Sequence, residues 1–281
     1  MRGWWQDLTD LVLPAECGGC GRPRTVLCPE CRAALMGAVP RRVRPVPEPP
    51  GLPVVHAAAP YEDEVRAVLL AHKERGALTL AGPLGTALAG AVRTGLGPGG
   101  AGDSEAPVLL VPVPSARWAV RARGHDPARR IALAAAGELR RAGTAARMLA
   151  VLRQRRAVAD QSGLNSRQRL DNLAGALEVA AGGVRLLAGG GRVVLVDDLM
   201  TTGASLAEAA RALRAALAEV NSGAYDRLTP KGGREGVAQA TMTAVGRADA
   251  VREMSRTEGV EDVIISAVVA ASPASFEINR N

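Results

Sequence analysis

Apolar positions along the 281-residue chain fall into two kinds of run. Short aliphatic and β-branched runs at 108–113, 192–196 and 263–270 are bounded by proline, glycine or charged residues and predict buried strands. Weaker runs at 54–59, 148–152 and 176–179 predict further short strands. Elsewhere apolar residues recur every three or four positions. Residues 62–73, with Val65, Val68, Leu69 and Ala71 on one face, predict a helix; so do 78–92 (after a break at Gly76), 126–141 and 205–218. Strands alternating with helices predict an α/β fold, a mostly parallel sheet flanked by helices.

Composition shifts divide the chain. Residues 1–36 carry all four cysteines, and 37–53, GAVPRRVRPVPEPPGLP, are proline-rich and basic, which predicts an extended linker. The α/β pattern fills 54–281. Residues 95–107 are a loop by composition, and 153–172 are polar and charged, predicting a long loop that ends in a helical turn. Trp4, Trp5, Leu8, Leu11 and Val12 have helical spacing and predict a short amphipathic helix packed on the body. That segment is too short and too acidic for a signal peptide. With no apolar run long enough for a membrane span, a cytoplasmic protein with reduced cysteines is expected.

Hydrophobic residues make up 47% of the chain, enough for a sizeable core, and aromatics only 2%. Nucleic-acid binding on stacked aromatic platforms is therefore disfavoured. The formal net charge of +7 fits polyanionic partners, phosphorylated metabolites or nucleic acid. For the charge alone, a solvated arginine-rich surface is the preferred account.

In CGGCGRPRTVLCPEC, Cys17 and Cys20 form one CxxC pair and Cys28 and Cys31 another, seven residues apart. Two such knuckles deliver four thiolates to one tetrahedral cation, which predicts a structural Zn²⁺ site with no open coordination position. Two disulfides, disfavoured by a reducing compartment, and unrelated thiols, disfavoured because the chain has no other cysteine, are the alternatives. Metal binding is expected to drive the folding of so short a segment.

VVLVDDLMTTGAS, 193–205, places two adjacent carboxylates, Asp197 and Asp198, at the end of a buried strand. Thr201, Thr202, Gly203, Ala204 and Ser205 then turn into a helix. In parallel sheets ligands bind beyond the carboxyl ends of the strands. A turn of hydroxyls and backbone N–H groups at a helix N-terminus suits a phosphate. The acids repel phosphate but accept hydrogen bonds from neighbouring hydroxyls, so a ribose 5-phosphate satisfies the whole stretch. Helix capping alone accounts for Ser205 and part of Asp198, and leaves the rest of the set without a purpose.

The stretch resembles the phosphoribosyl pyrophosphate (PRPP) signature of type I phosphoribosyltransferases, most closely the ComF family. The four-cysteine segment, VPVPSARWAVRARGHDPARRIA and QSGLNSRQRLDNLAGAL resemble further ComF segments in the same order. The resemblance covers about residues 11–217 and the last strand. It implies a phosphoribosyltransferase-like domain over 54–281 that binds PRPP, with Asp197 and Asp198 catalytic and residues 201–205 on the 5′-phosphate. Pro114, Ser115, Arg117, Arg121, Arg123 and Gly124 would form the pyrophosphate loop, though the three arginines equally fit a plain surface. Gln161, Arg169 and Asn172 would belong to a flexible loop closing over the site. Mg²⁺ bound with PRPP is implied, as is an unidentified acceptor. So is a link to natural DNA uptake (competence), with single-stranded DNA or a DNA-uptake helicase as partner. A non-catalytic PRPP-responsive module binding single-stranded DNA or a protein is the alternative; a zinc DNA-binding protein on an inert scaffold is a third reading.

The chain departs from the family at Asp126-Pro127, where Asn-Gln is usual, at Val158, where threonine is usual, and at His125, where an aromatic is usual. Residues 219–260 exceed the family's usual link before the last strand, which predicts a surface insertion.

Overall fold

A computed structural model describes residues 16–97, 106–156, 158, 165–188, 190–228 and 264–279. One sheet comprises β1 (Arg41–Val43), β2 (Val55–Pro60), β3 (Val108–Pro112), β4 (Ala146–Met148), β7 (Arg192–Met200) and β8 (Ile264–Ala271), in the order β1-β2-β8-β7-β3-β4. Every pairing is parallel except β1 with β2. β5 (Leu152–Gln154) and β6 (Leu177–Val179) make a separate antiparallel ribbon. The helices are α1 (Pro29–Met36), α2 (Asp63–Glu74), α3 (Ala81–Leu96), α4 (Arg117–Arg123), α5 (Pro127–Arg141), α6 (Ser166–Leu173), α7 (Gly183–Ala188) and α8 (Ala204–Leu228). The α/β architecture expected from the alternating pattern is the one observed.

The central strand shows how the layers form. Val193 to Val196 are all buried, because helices cover both faces. Val194 and Val196 face a cluster with Leu84, Leu88 and Val92 of α3 and Ile131, Ala135 and Leu139 of α5. Val193 and Leu195 face the opposite cluster, with Leu206 and Leu213 of α8. The two sets alternate along the strand, as the two-residue period requires. A Cβ added at Gly85 would lie 2.5 Å from the Ala134 Cβ, so α3 and α5 meet on small residues.

The N-terminal residues share this core. Cys17, Leu27, Cys28, Cys31 and Leu35 are buried in the same cluster as Val65, Val68, Leu69 and Leu80. The proline-rich stretch contributes β1, where Arg41 pairs with Ala57 and Val43 with Val55. Buried Pro45 and Pro49 follow it.

Several boundaries differ from the sequence reading. The strand expected at 148–152 is two strands, β4 and β5, in different sheets. The 113–124 loop contains α4, and the four-cysteine region contains α1. α8 runs ten residues beyond the expected end at 218. β7 continues past Val196 because its backbone stays paired with β8 through Met200 and Ala271. The expected N-terminal amphipathic helix, the helix-capable stretch 237–254 and Gln161 lie outside the described residues. Among the described residues no helix is long and apolar enough to cross a membrane.

Candidate functional site

β3 and β7 are parallel neighbours, and their carboxyl ends open into one cavity of about 300 Å³. Asp197, Asp198, Thr201 and Ser205 line it from β7 and the turn into α8, Pro114 and Ser115 from the segment after β3. Lys73, Arg123, Trp118, Gln154 and Val158 complete much of the wall. A smaller recess of about 30 Å³ adjoins it, lined by Asp197 and residues 199–206.

The acids lie inside the strand, so the pleat sends them to opposite faces. The half-buried Asp197 accepts the Asp198 N–H on Oδ1 at 2.9 Å. Burial, then repulsion from Asp198, pushes the Asp197 carboxyl well above the usual carboxylate range. Asp198 is buried and its Oδ2 lies 3.1 Å from the Lys73 ammonium. That carboxylate raises the Lys73 ammonium, against the opposing effect of burial.

The turn 201–203 leads directly into α8, whose first N–H groups have no intrahelical acceptor. Gly203 has φ 74°, a left-handed conformation that favours glycine. A Cβ there would approach Leu52 at 3.1 Å. Thr201 is exposed, and its hydroxyl oxygen accepts from the Arg169 guanidinium at 3.3 Å. The Arg169 Nε is buried without a hydrogen-bond partner among the described residues. An unpaired guanidinium N–H beside a hydroxyl turn and a helix N-terminus is what an anionic ligand would satisfy.

The expected pyrophosphate residues separate into two groups. Pro114, Ser115 and Arg123 line the cavity. Arg117 and Arg121 are exposed on α4 outside its lining; the Arg117 N–H donates to the Gln154 side chain at 3.3 Å. Gly124, at φ 75°, ends α4. Asn172 lies on α6, and its carbonyl accepts from Arg156 at 2.9 Å.

The three departures from the family pattern have local explanations. Asp126 caps α5 by accepting the Arg129 N–H at 3.2 Å, while its other carboxylate oxygen accepts the Ser115 N–H at 3.2 Å. His125 is buried, with Nδ1 3.2 Å from the Arg123 carbonyl and Nε2 3.2 Å from the His72 carbonyl. Together with the Arg123–Glu74 ion pair at 2.9 Å, it fastens α4 to the end of α2 that carries Lys73. Val158 adds an apolar side chain to the cavity wall.

Lys73, Trp118 and Gln154 were not picked out by motif reading. Lys73 did carry a signal. It and Lys231 are the only lysines among many arginines.

At the N-terminal end, the four Cys Sγ atoms lie within 4.8 Å of one another, positioned to bind one metal ion. Cys28 N–H points at the Cys17 sulfur (3.3 Å) and Cys31 N–H at that of Cys28 (3.5 Å). A Cβ on Gly19 would lie 2.6 Å from the Cys31 sulfur, so only glycine lets the first knuckle close. Without a cation the thiols cannot all ionise. Burial opposes ionisation at Cys17, yet N–H groups of Cys20, Cys28 and Gly19 bring its thiol down to about 6. Burial and the neighbouring thiols push Cys31 up.

No protein-family model matches the chain. An adenine phosphoribosyltransferase from Mycobacteroides abscessus is 45% identical over 71 residues, which are 25% of this chain and 39% of that protein. The chain is thus similar, over that part, to a phosphoribosyltransferase.

Proposed function

We propose that the protein binds PRPP and transfers its phosphoribosyl group to an acceptor, releasing pyrophosphate. The observation that carries this reading is one cavity lined by Asp197, Asp198, Thr201 and Ser205 at the carboxyl end of β7. The 5′-phosphate would occupy the 201–205 turn and the ribose hydroxyls would donate to the two carboxylates. As the bond from C1′ to pyrophosphate breaks, positive charge develops on the ribose ring, and the adjacent carboxylates stabilise it. Lys73 and Arg123, which line the same cavity, offset the charge of the leaving pyrophosphate.

Mg²⁺ fits this donor set. Asp198 pairs with Lys73, while Asp197, which also lines the cavity, would hold the ion, directly or through water. When bound, the ion neutralises pyrophosphate oxygens. The four cysteines fit Zn²⁺, whose tetrahedral thiolate site has sulfurs about 3.8 Å apart. It would serve structure, since four sulfurs leave no position for substrate. The part of the reading that concerns DNA uptake follows from the family resemblance.

Calorimetry with PRPP and Mg²⁺ tests the site. Saturable binding that Asp197→Asn with Asp198→Asn removes is expected; wild-type protein that fails to bind PRPP sinks the reading. Pyrophosphate release with a panel of acceptors then distinguishes an enzyme from a PRPP-responsive binding module.

A further inference from the structure

We infer that Lys73 is an exchangeable counter-ion that makes the site prefer a ribose 5-phosphate bearing pyrophosphate over ribose 5-phosphate itself; this rests on the proposed PRPP reading. The Lys73 ammonium lies 3.1 Å from Asp198 Oδ2. That oxygen is one of the acceptors available to a ribose hydroxyl in the proposed site. Lys73 and a ribose hydroxyl therefore approach the same carboxylate, and in the exchange the hydroxyl takes the place of the ammonium on it.

The fate of the displaced ammonium depends on the group that the sugar carries at C1′. Pyrophosphate on C1′ sits on the ring carbon next to the one bearing the 2′-hydroxyl. A displaced ammonium on a four-carbon stem can swing from Asp198 to those oxygens while staying inside the cavity that it already lines. One ion pair is exchanged for another, and the pyrophosphate is shielded from the two carboxylates. Ribose 5-phosphate offers no such acceptor, so the ammonium loses a partner and gains none.

Side-chain chemistry supports the exchange. Lys73 is one-third exposed, so its path is open, whereas Asp198 is 8% exposed and stays in place. The backbone carrying Lys73 is braced by His125 on the His72 carbonyl and by Arg123 on Glu74. The stem can therefore move on a fixed base. A guanidinium would grip a carboxylate with two parallel bonds and release it less readily. Lysine at this position, in an arginine-rich chain with only one other lysine, Lys231, fits a group that must let go.

The test compares two ligands on three full-length proteins by calorimetry with Mg²⁺. Wild type is expected to bind PRPP more tightly than ribose 5-phosphate. Lys73→Met is expected to weaken PRPP at least tenfold while leaving ribose 5-phosphate unchanged or tighter. Lys73→Gln, which keeps a polar end, repeats the comparison should the methionine variant not fold. Equal loss for both ligands, or no change in their ratio, overturns the exchange while leaving the PRPP reading intact. Wild type that binds ribose 5-phosphate and PRPP equally well also overturns it. Wild type that binds neither overturns both.

Discussion

Ser115 donates its backbone N–H to Asp126 Oδ2 at 3.2 Å, across eleven residues of chain. The same carboxylate caps α5 through the Arg129 N–H. One acid thus fixes the start of a helix and a loop residue at the cavity wall.

Removing that acid should therefore have two effects. Asp126→Ala is expected to cost about 1–2 kcal/mol, the usual scale for a lost helix cap, and to weaken PRPP binding. Asp126→Asn retains a good cap acceptor and should stay within about 0.5 kcal/mol of wild type. Urea unfolding and calorimetry on both variants check this. Equal stability of the alanine variant and wild type would contradict the capping role.

Asp197 gives the protein a pH signature. Its folded carboxyl titrates well above the usual range, so the native state binds the proton more tightly than the unfolded chain. Stability attributable to this group therefore falls as pH rises from the unfolded value, about 3.9, through the raised folded value. Asp197→Asn should remove that loss. It is expected to raise stability at pH 7 by about 1 kcal/mol, with the difference vanishing near pH 4. Thermal unfolding across pH reads the effect, and a destabilised variant at pH 7 would refute it.

Trp118 is 52% exposed and lines the cavity. A ligand filling the cavity should shift its emission to shorter wavelength. Trp118→Phe should abolish the ligand-dependent change even though Trp4 and Trp5 remain. A change that persists in the variant would place the reporter elsewhere.

The cysteine cluster should hold one zinc per chain, measured by elemental analysis of the purified protein. Cys17→Ser or Cys31→Ser should lose the metal. Because these cysteines share a core cluster with Val68 and Leu80, chelation should also lower the unfolding temperature of the whole protein. Full retention of that temperature after metal removal would show the cluster to be energetically independent.

Much of the architecture was legible because its signals are local. The apolar run 192–196 and the apolar face of 126–141 each announce their element without help from distant residues. The cavity's carboxyl-end acids were legible for the same reason, since two carboxylates after an aliphatic run have few structural uses. What escaped was non-local. Lys73 meets Asp198 only because α2 ends over the carboxyl edge of β7, 125 positions away, and no periodicity reports that meeting. α4 escaped because Pro114 and the closely spaced arginines and glycine after it read as loop. The end of β7 escaped because acids ordinarily close a strand, whereas here the ladder to β8 carries them onward.

Gly203 lies at the bottom of the 201–205 turn, and behind it sit Leu52 and Pro45, the nearest atoms a Cβ there would meet. The Arg214 guanidinium also donates to the Gly51 carbonyl at 2.8 Å, tying α8 to the same stretch. The proline-rich segment is therefore a backstop for the turn. A chimera that exchanged residues 1–53 for those of another protein would replace the surface against which the turn is moulded. Protease protection of the 45–52 peptide thus becomes a remote gauge of how firmly the turn is held from behind.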